Sequence, residues 1–275
     1  MNDDRVKIVI SGIIDSVTDY FKTNDIGEIK HHFKDKQEIA TKIDTDVEAI
    51  IIEKILNVFP EHKIVSEERG VFGKGEYVWY VDPVDNTVGL IAGEKDISVS
   101  VSLKKSNEHI SSVVINPRTM EIFEANSSGC FKNGRALRTC TGTLYGKARG
   151  LSTCAYVRKS NIERAVFILS KLYEKRIPVR ISGGSALDLC YVAEGRCIGH
   201  VSVGAHVWDV EAGIHMVLSA GGEVEVLARF PESSALAIAA ASSRKVLDEI
   251  KGILGKSIDF STDFIFETGG GKNDG

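Results

Sequence analysis

Hydrophobic residues near the start of the chain recur at intervals of three and four, the spacing of one face of an α-helix. The pattern predicts a helix from Arg5 to about Lys22. A second helix is predicted to begin after Asp44 and to run to Phe59, because Pro60 cannot continue it. Between these helices, residues 24–40 are polar and have no sustained period. We predict a loop or irregular hairpin there, acting as a mobile flap.

Short apolar runs rich in β-branched and aromatic residues predict strands over the rest of the first half. The run that starts at residue 77 is predicted to break at Asp82-Pro83. Residues 132–135 are predicted to form a hairpin turn because they contain Asn-Gly. Short strands are predicted at residues 63–66 and 77–81, and the simplest interpretation of the strands at 97–103, 112–115 and 121–125 is an antiparallel meander.

Helical and extended patterns alternate in the second half. Such alternation indicates a layered α/β fold. The helical segments are predicted over 160–175, 185–194 and 210–220, and the extended ones over 179–181 and 200–203. No internal repeat or linker divides the chain, and only residues 269–275 have the composition of a flexible tail.

The charge pattern narrows the classes of partner. A formal net charge of −4 argues against a general binder of nucleic acid or anionic membranes, which normally has a basic excess. The first residues lack the pattern of a signal peptide, and no run approaches the roughly 18 apolar residues of a membrane span. We therefore expect a cytoplasmic protein with no nucleic-acid or membrane partner.

The cysteine pattern agrees with a reducing compartment. An odd number of cysteines without a CxxC pair does not suit a disulfide framework. We predict reduced cysteines that mostly serve packing, with a redox role for Cys190 or Cys197 as the alternative. The five cysteines are Cys130, Cys140, Cys154, Cys190 and Cys197.

Acidic residues cluster at the predicted ends of strands and starts of helices. Mg²⁺ prefers octahedral oxygen ligands, and two such ions about 3.5–4 Å apart can activate water and stabilise a leaving oxygen in phosphoryl transfer. Asp82 is the most natural ligand to be shared by two ions. The clusters are Asp44, Glu67-Glu68, Asp82 with Asp85, and Asp209.

A phosphate-binding feature follows immediately. Backbone N–H groups at a helix start favour a phosphate, and Asp85-Asn86-Thr87 is predicted to begin a helix. The alternative is purely structural: Asp82 and Asp85 make a turn with Pro83, and Asp44 and Asp209 are ordinary helix N-caps.

Three ordered blocks around these acids make the sequence resemble the inositol monophosphatase family of metal-dependent, lithium-sensitive phosphatases. The blocks are Ile64-Val65-Ser66-Glu67-Glu68, Trp79-Tyr80-Val81-Asp82-Pro83-Val84-Asp85-Asn86-Thr87 and Trp208-Asp209-Val210-Glu211-Ala212-Gly213. The resemblance extends over roughly residues 5–265. It implies a five-layer αβαβα sandwich of the sugar-phosphatase type and a homodimer. Residues 1–140 would carry most of the metal and phosphate motifs, and residues 141–268 would complete the site.

The same resemblance implies roles for individual residues. Glu67, Asp82 and the Val84 carbonyl would hold one Mg²⁺, Asp82, Asp85 and Asp209 a second, and Glu67 with water a third. Asp44 and Thr87 would orient the attacking water. Glu68 would be a carboxylate behind the ligands.

The phosphate and substrate sides of the site are implied in the same way. The backbone of Asn86 and Thr87 would hold the phosphate, and Ser185 would lie on the substrate side. The implied reaction is in-line attack of a metal-activated water on a phosphate monoester, without a phosphoenzyme.

Two positions depart from the family pattern. Asn86 replaces the usual glycine, so its amide could add a donor to the phosphate. Ser202 stands where inositol-handling members have an acidic residue that hydrogen-bonds sugar hydroxyls. This difference argues against specificity for inositol. The expected substrate is a small sugar or polyol phosphate, either inositol monophosphate or fructose 1,6-bisphosphate. The alternatives are a 3′(2′),5′-bisphosphate nucleotide or NADP phosphatase, and a non-enzymatic regulatory homologue.

For several basic side chains, the sequence leaves two alternative roles open. His206 either contacts substrate or makes a structural hydrogen bond, and Arg180 reaches either a partner subunit or a substrate. On the predicted flap, a solvated surface is expected, with closure over the phosphate or metal binding as the alternative. The flap residues are His31, His32, Lys34 and Lys36.

Overall fold

The structure is a computed structural model that describes residues 3–24, 31–33, 39–145, 150–155, 159–230 and 235–255, without the side chains of residues 3, 31–33, 39, 154–155 and 159–162. The predicted tail, Lys34 and Lys36, and the side chains of His31 and His32 lie outside this description. The helices are α1 (Asp3–Thr23), α2 (Lys42–Val58), α3 (Thr87–Ala92), α4 (Lys159–Glu174), α5 (Ser185–Ala193), α6 (Val207–Ser219) and α7 (Arg244–Leu254).

The strands complete the element order in the described part of the chain. They are β1 (His31–Phe33), β2 (Ile39–Thr41), β3 (Lys63–Ser66), β4 (Gly70–Phe72), β5 (Tyr77–Asp85), β6 (Ser98–Lys105), β7 (Glu108–Asn116), β8 (Glu121–Asn126), β9 (Gly129–Lys132), β10 (Arg135–Ala136), β11 (Leu151–Ala155), β12 (Val179–Arg180), β13 (Gly199–His206), β14 (Glu223–Phe230) and β15 (Ala235–Ala241).

Helices α1 and α2 cover one face of the first sheet. This eight-stranded sheet has the order β10-β9-β8-β7-β6-β5-β3-β4. β3 runs parallel to β5, and the remaining pairs are antiparallel. Side chains from the apolar stripe of α1, such as Val9 and Ile13, pack with Ile51 of α2 against Trp79 and Val101 of the sheet. The predicted first helix and meander are confirmed.

Helices α5 and α6 form the middle layer, and a second sheet lies beyond them. The five-stranded second sheet has the order β12-β11-β13-β15-β14. Leu189 and Met216 pack between Phe123 of the first sheet and Ile238 of the second. Helices α4 and α7 cover the far face of the second sheet. The layers therefore follow the predicted αβαβα order.

Three of the boundaries that differ from the sequence predictions lie beside the acidic residues. Helix α2 begins at Lys42, not after Asp44, because Thr41 is its N-cap and forms a capping box with Asp44. Likewise, α6 begins at Val207, three residues earlier than predicted. β5 continues through Pro83 to Asp85, with a register shift between Asp82 and Asp85. A bulge tolerates proline because the displaced residue need not donate to the ladder.

Residues 31–33 and 39–41 pair as an antiparallel hairpin, in agreement with the predicted irregular hairpin. Its action as a flap stays a prediction. The strands of the first sheet fall within residues 63–136 and those of the second within 151–241. The division of the chain near residue 140 also stays a prediction. Within the described part of the chain, no helix combines the length and apolar composition needed to cross a membrane.

Candidate metal and phosphate site

The bulged end of β5 brings Asp82, Val84 and Asp85 to one edge of the first sheet. Asp82 is 2% exposed, and its Oδ1 accepts a hydrogen bond from the backbone N–H of Val84 at 3.0 Å. Pairing with Ser100 and Ser98 of β6 frames the bulge. The irregularity therefore places two carboxylates and a carbonyl close together instead of alternating them across the sheet.

Asp85 is held at the N-terminus of α5, a helix 101 positions further along the chain. Its Oδ2 accepts the backbone N–H of Ala186 at 2.8 Å and the Ser98 hydroxyl at 3.4 Å. Burial raises the pKa of Asp85 to about 7, and hydrogen bonds from backbone N–H groups of α5 limit the rise. A Cβ at Gly184, the N-cap, would lie 2.7 Å from the same oxygen. Only glycine allows this approach.

Three other carboxylates, those of Glu67, Asp85 and Asp209, lie around Asp82. Burial raises the pKa of Asp82 well above its usual range, and the negative charges of Glu67, Asp85 and Asp209 raise it further. Glu67 follows β3 directly, and its backbone N–H donates to the Val81 carbonyl at 3.2 Å. The predicted metal ligands are thus close enough in space to act on one another electrostatically.

Asp209 reaches this group from the first turn of α6. It is the third residue of the helix, and its Oδ2 accepts the backbone N–H of His206 at 2.7 Å. The structural alternative named Asp209 as an N-cap, but the N-cap is His206. Asp209 is also 4% exposed.

Asp44 and Thr87 are in contact. The Thr87 hydroxyl donates to Asp44 Oδ1 and to the Val84 carbonyl, both at 3.1 Å. The other Asp44 oxygen, Oδ2, accepts the backbone N–H of Thr41 at 2.7 Å. Asp44 is the third residue of α2, so the alternative that it is an N-cap is wrong. The contact predicted between Asp44 and Thr87 is present.

The Asn86 side chain is bound to the protein rather than pointing to a ligand. Its backbone has φ 73°, a left-handed conformation that asparagine tolerates. The amide nitrogen donates to the Asp96 carbonyl at 2.9 Å and the Ser182 carbonyl at 3.0 Å, and Oδ1 accepts the backbone N–H of Gly89 at 2.9 Å. The amide is therefore not available as the additional phosphate donor suggested by the sequence.

The donor set suits a hard cation. Among the described residues, no group of three or more His, Cys, Asp or Glu side chains is already arranged to hold an ion. Asp82, Asp85 and Asp209 instead accept backbone hydrogen bonds. Nevertheless, ionised carboxylates repel one another when they are buried close together, and a divalent cation bound between them reduces this repulsion. Mg²⁺ also prefers oxygen ligands.

A sequence model of the inositol monophosphatase family matches residues 5–251. The chain belongs to this family. It is 31% identical over 198 residues to the fructose-1,6-bisphosphatase/inositol-1-monophosphatase of Thermotoga maritima, covering 72% of this chain and 73% of that protein. The Nus factor SuhB of Xylella fastidiosa is 31% identical over 198 residues, covering 70% of each chain.

The solved structures agree with the family assignment. The Thermotoga maritima IMPase structure superposes with a TM-score of 0.77 at 25% identity and covers 91% of this chain and 96% of that chain. The family acts on small phosphorylated substrates and is generally Mg²⁺-dependent. The fold predicted from the sequence is therefore confirmed.

Of the three residues predicted on the substrate side, two lie in the interior and one is partly exposed. Ser185 begins α5, Ser202 lies on β13, and both side chains are fully buried. The His206 ring stacks on Trp208, with centroids 4.5 Å apart. Contact of these three residues with a substrate stays a prediction.

Arg180 belongs to a polar network within the chain. It donates to Asp96 Oδ2 at 2.6 Å, and its Nε lies 3.7 Å from Asp188 Oδ1. The sequence patterns did not point to Asp188. Its carboxylate also lies 3.8 Å from His200 Nδ1. Burial raises the pKa of Asp188 to about 7. No sequence pattern indicated the proximity of Asp188 and His200, because α5 and β13 come into contact only in the folded chain.

Glu48 was also missed, although a signal existed. It lies four residues after Asp44, on the same face of α2. Its Oε1 accepts the backbone N–H groups of Glu68 and Arg69 at 2.9 and 3.2 Å. The helix spacing alone places the carboxylates of Asp44 and Glu48 on the same face of α2.

The described cysteines serve packing. Cys130, Cys140, Cys190 and Cys197 are free and buried. Burial raises the pKa of Cys190 and raises that of Cys197 to about 11. Both thiols remain protonated at neutral pH, which does not favour the alternative redox role.

Proposed function

We propose that the protein is a Mg²⁺-dependent phosphomonoesterase that acts on a small sugar or polyol phosphate, with inositol monophosphate and fructose 1,6-bisphosphate as first candidates. The observation that carries the proposal is the group of carboxylates around Asp82, where burial and the neighbouring negative charges both raise the pKa of that residue. A site that concentrates like charges in a buried place is suited to divalent cations and, through them, to a phosphate.

The ligands of this proposal come from three elements. Glu67, Asp82 and the Val84 carbonyl hold one ion, Asp82, Asp85 and Asp209 hold a second, and Glu67 contributes to a third. When bound, Mg²⁺ lowers the pKa of water and polarises phosphate oxygens. Asp85 is oriented by the N–H of Ala186, and Asp209 by that of His206.

Thr87 and Asp44 orient the attacking water in this proposal. The single O–H of Thr87 is shared in hydrogen bonding between Asp44 Oδ1 and the Val84 carbonyl oxygen. Its oxygen can therefore accept a hydrogen bond from water and fix the direction of attack. The backbone N–H groups of Asn86 and Thr87 bind the phosphate oxygens. No side chain needs to become phosphorylated.

The test is phosphate release from inositol 1-phosphate, fructose 1,6-bisphosphate, adenosine 3′,5′-bisphosphate and NADP, with and without Mg²⁺. We expect the wild-type chain to hydrolyse one of the first two. Asp82→Asn should lower kcat/KM by at least about 10³-fold, equivalent to about 4 kcal/mol of transition-state stabilisation. The exposed Asp19→Asn in α1 is the matched control and should retain activity. An active Asp82→Asn variant would contradict the assignment.

The substrate panel also separates the alternatives. Release only from the nucleotide bisphosphate or NADP would support a nucleotide phosphatase. The similarity to proteins named Nus factor SuhB favours a regulatory homologue as the second candidate function. Absence of release from every substrate, with Mg²⁺ binding or without it, would favour that candidate and reopen the question of a nucleic-acid partner.

The proposed homodimer rests on the resemblance to the family. Light scattering coupled to size exclusion should give twice the 30.0 kDa chain mass. A mass equal to one chain across micromolar concentrations would contradict it.

A further inference from the structure

Glu48 is a fully buried carboxylate that contacts the loop after β3. It lies on α2 and is 0% exposed. Its Oε1 accepts the backbone N–H groups of Glu68 at 2.9 Å and Arg69 at 3.2 Å. Its Oε2 lies 3.3 Å from the Arg69 Nε, while the Arg69 side chain is 52% exposed. The carboxylate thus binds mainly the backbone of this loop, in a place shielded from water.

These contacts bracket Glu67. On its N-terminal side β3 ends at Ser66, and the N–H of Glu67 donates to the Val81 carbonyl of β5 at 3.2 Å. On its C-terminal side the next two N–H groups are bound by Glu48. The backbone on both sides of Glu67 is therefore fixed before any ligand arrives.

The same face of α2 also contacts the segment that contains Asp82 and Thr87. Asp44, one helical turn before Glu48, accepts the Thr87 hydroxyl at 3.1 Å. Side chains four residues apart on a helix point in the same direction. One rigid helix thus sets the position of the Glu67 segment relative to the Asp82–Thr87 segment.

We propose that Glu48 is a positioning residue that holds Glu67 in the geometry needed to bind Mg²⁺. The inference rests on the proposed function, because Glu67 is a ligand only there. A ligand held in place in advance loses less conformational freedom on binding, so its affinity for the ion is higher. Residues that orient metal ligands commonly change metal affinity by about 10–100-fold when substituted.

The decisive variant is Glu48→Ala. It removes the oxygen that accepts the backbone N–H groups of Glu68 and Arg69, so the loop is no longer held in the same way. We expect the Kd of Mg²⁺ for the metal-free chain, measured by calorimetry with Mg²⁺ alone, to rise about tenfold. At saturating Mg²⁺, kcat should recover to within about threefold and KM should change less than about twofold.

Two matched variants separate positioning from general effects. Glu53→Ala removes the same side chain from an exposed position of α2 and should leave the Mg²⁺ Kd unchanged. Arg69→Ala removes the exposed ion pair but leaves both backbone N–H contacts, and should change the Kd less than about twofold. A Glu48→Ala variant with the wild-type Mg²⁺ Kd would overturn the proposal, even if it melts at a lower temperature.

Amide hydrogen exchange of the wild-type chain provides a test that needs no variant. The N–H groups of Glu68 and Arg69 should exchange as slowly as those of β3, although they lie in a loop. Exchange at the rate of an exposed loop would overturn the proposal. Wild-type protein that binds no Mg²⁺ would instead refute the proposed function, so the two failures are distinguishable.

Discussion

Asp209 and Glu211 lie two residues apart in the first turns of α6, and both are mostly buried, yet they face opposite surroundings. Asp209 belongs to the group of like charges that raises the pKa of Asp82. Glu211 instead accepts hydrogen bonds from Lys104 at 2.9 Å and from His109 Nε2 at 2.8 Å.

The two surroundings have opposite electrostatic consequences. Burial alone raises the pKa of Glu211, but the hydrogen bonds and positive charge of His109 and Lys104 outweigh it and hold the pKa below its usual value. Around Asp82, burial and neighbouring carboxylates act in the same direction. The Glu211 cluster is complete within the chain, whereas the Asp82 group is suited to cations from outside.

Removing the carboxylate of the complete cluster should have the largest effect on stability. Glu211→Ala leaves the Lys104 and His109 side chains, only 13% and 12% exposed, without their anionic partner. Breaking a buried ion pair from one side costs about 3 kcal/mol. Urea unfolding should show this loss, with the exposed Glu53→Ala in α2 as control. Equal unfolding midpoints for the two variants would contradict the comparison.

Mg²⁺ should stabilise the protein only through the Asp82 group. At 100 times the Kd, a bound ion contributes about 2.7 kcal/mol to the free energy of unfolding. A thermal unfolding experiment should show an increase in Tm of several degrees for wild-type protein and for Glu211→Gln. The increase should be absent in Asp82→Asn. A Mg²⁺ response in Asp82→Asn equal to that of wild type would refute the distinction between the two clusters.

The smallest expected effect, when stated for a change of one pH unit, concerns His215, which borders the Glu211 cluster. Burial lowers the pKa of His215 to about 3, with a further contribution from His109. The unfolded chain therefore takes up a proton near pH 6.5 that the folded chain refuses, so stability is lost as pH falls from 6.5 toward 3. His215→Gln should make this slope shallower by at most about 1.4 kcal/mol per pH unit. Unfolding titrations that give the wild-type slope would contradict the assignment.

Amphipathic elements were predictable because the spacing of their apolar residues shows which face is buried. α1 and the strands of the first meander agree with their apolar patterns. β15 was not predicted, since Ala235–Ala241 is built mainly from alanine, which has no strong strand preference. This strand is completely buried between β13 and β14. Its conformation is decided by its neighbours rather than by local propensity.

The candidate site divides in the same way. Residue types and short spacings within the chain predicted Glu67, Asp82, Asp85 and Asp209 as metal ligands, because carboxylates near strand ends and helix starts are a local property. The contacts of Asn86 with Ser182 and of Asp85 with Ala186 join residues about a hundred positions apart. Such contacts cannot be deduced from local pattern.

The sequence by itself determined the layered class of fold and the family, and it predicted the oxygen ligands, since each depends on residue identity and short-range order. Only the tertiary structure decided which groups meet. It placed Asp85 against α5, committed the Asn86 amide to the protein and set Glu48 behind Glu67. Hydrogen bonding and burial act through distance in space, which the order of residues along the chain does not specify.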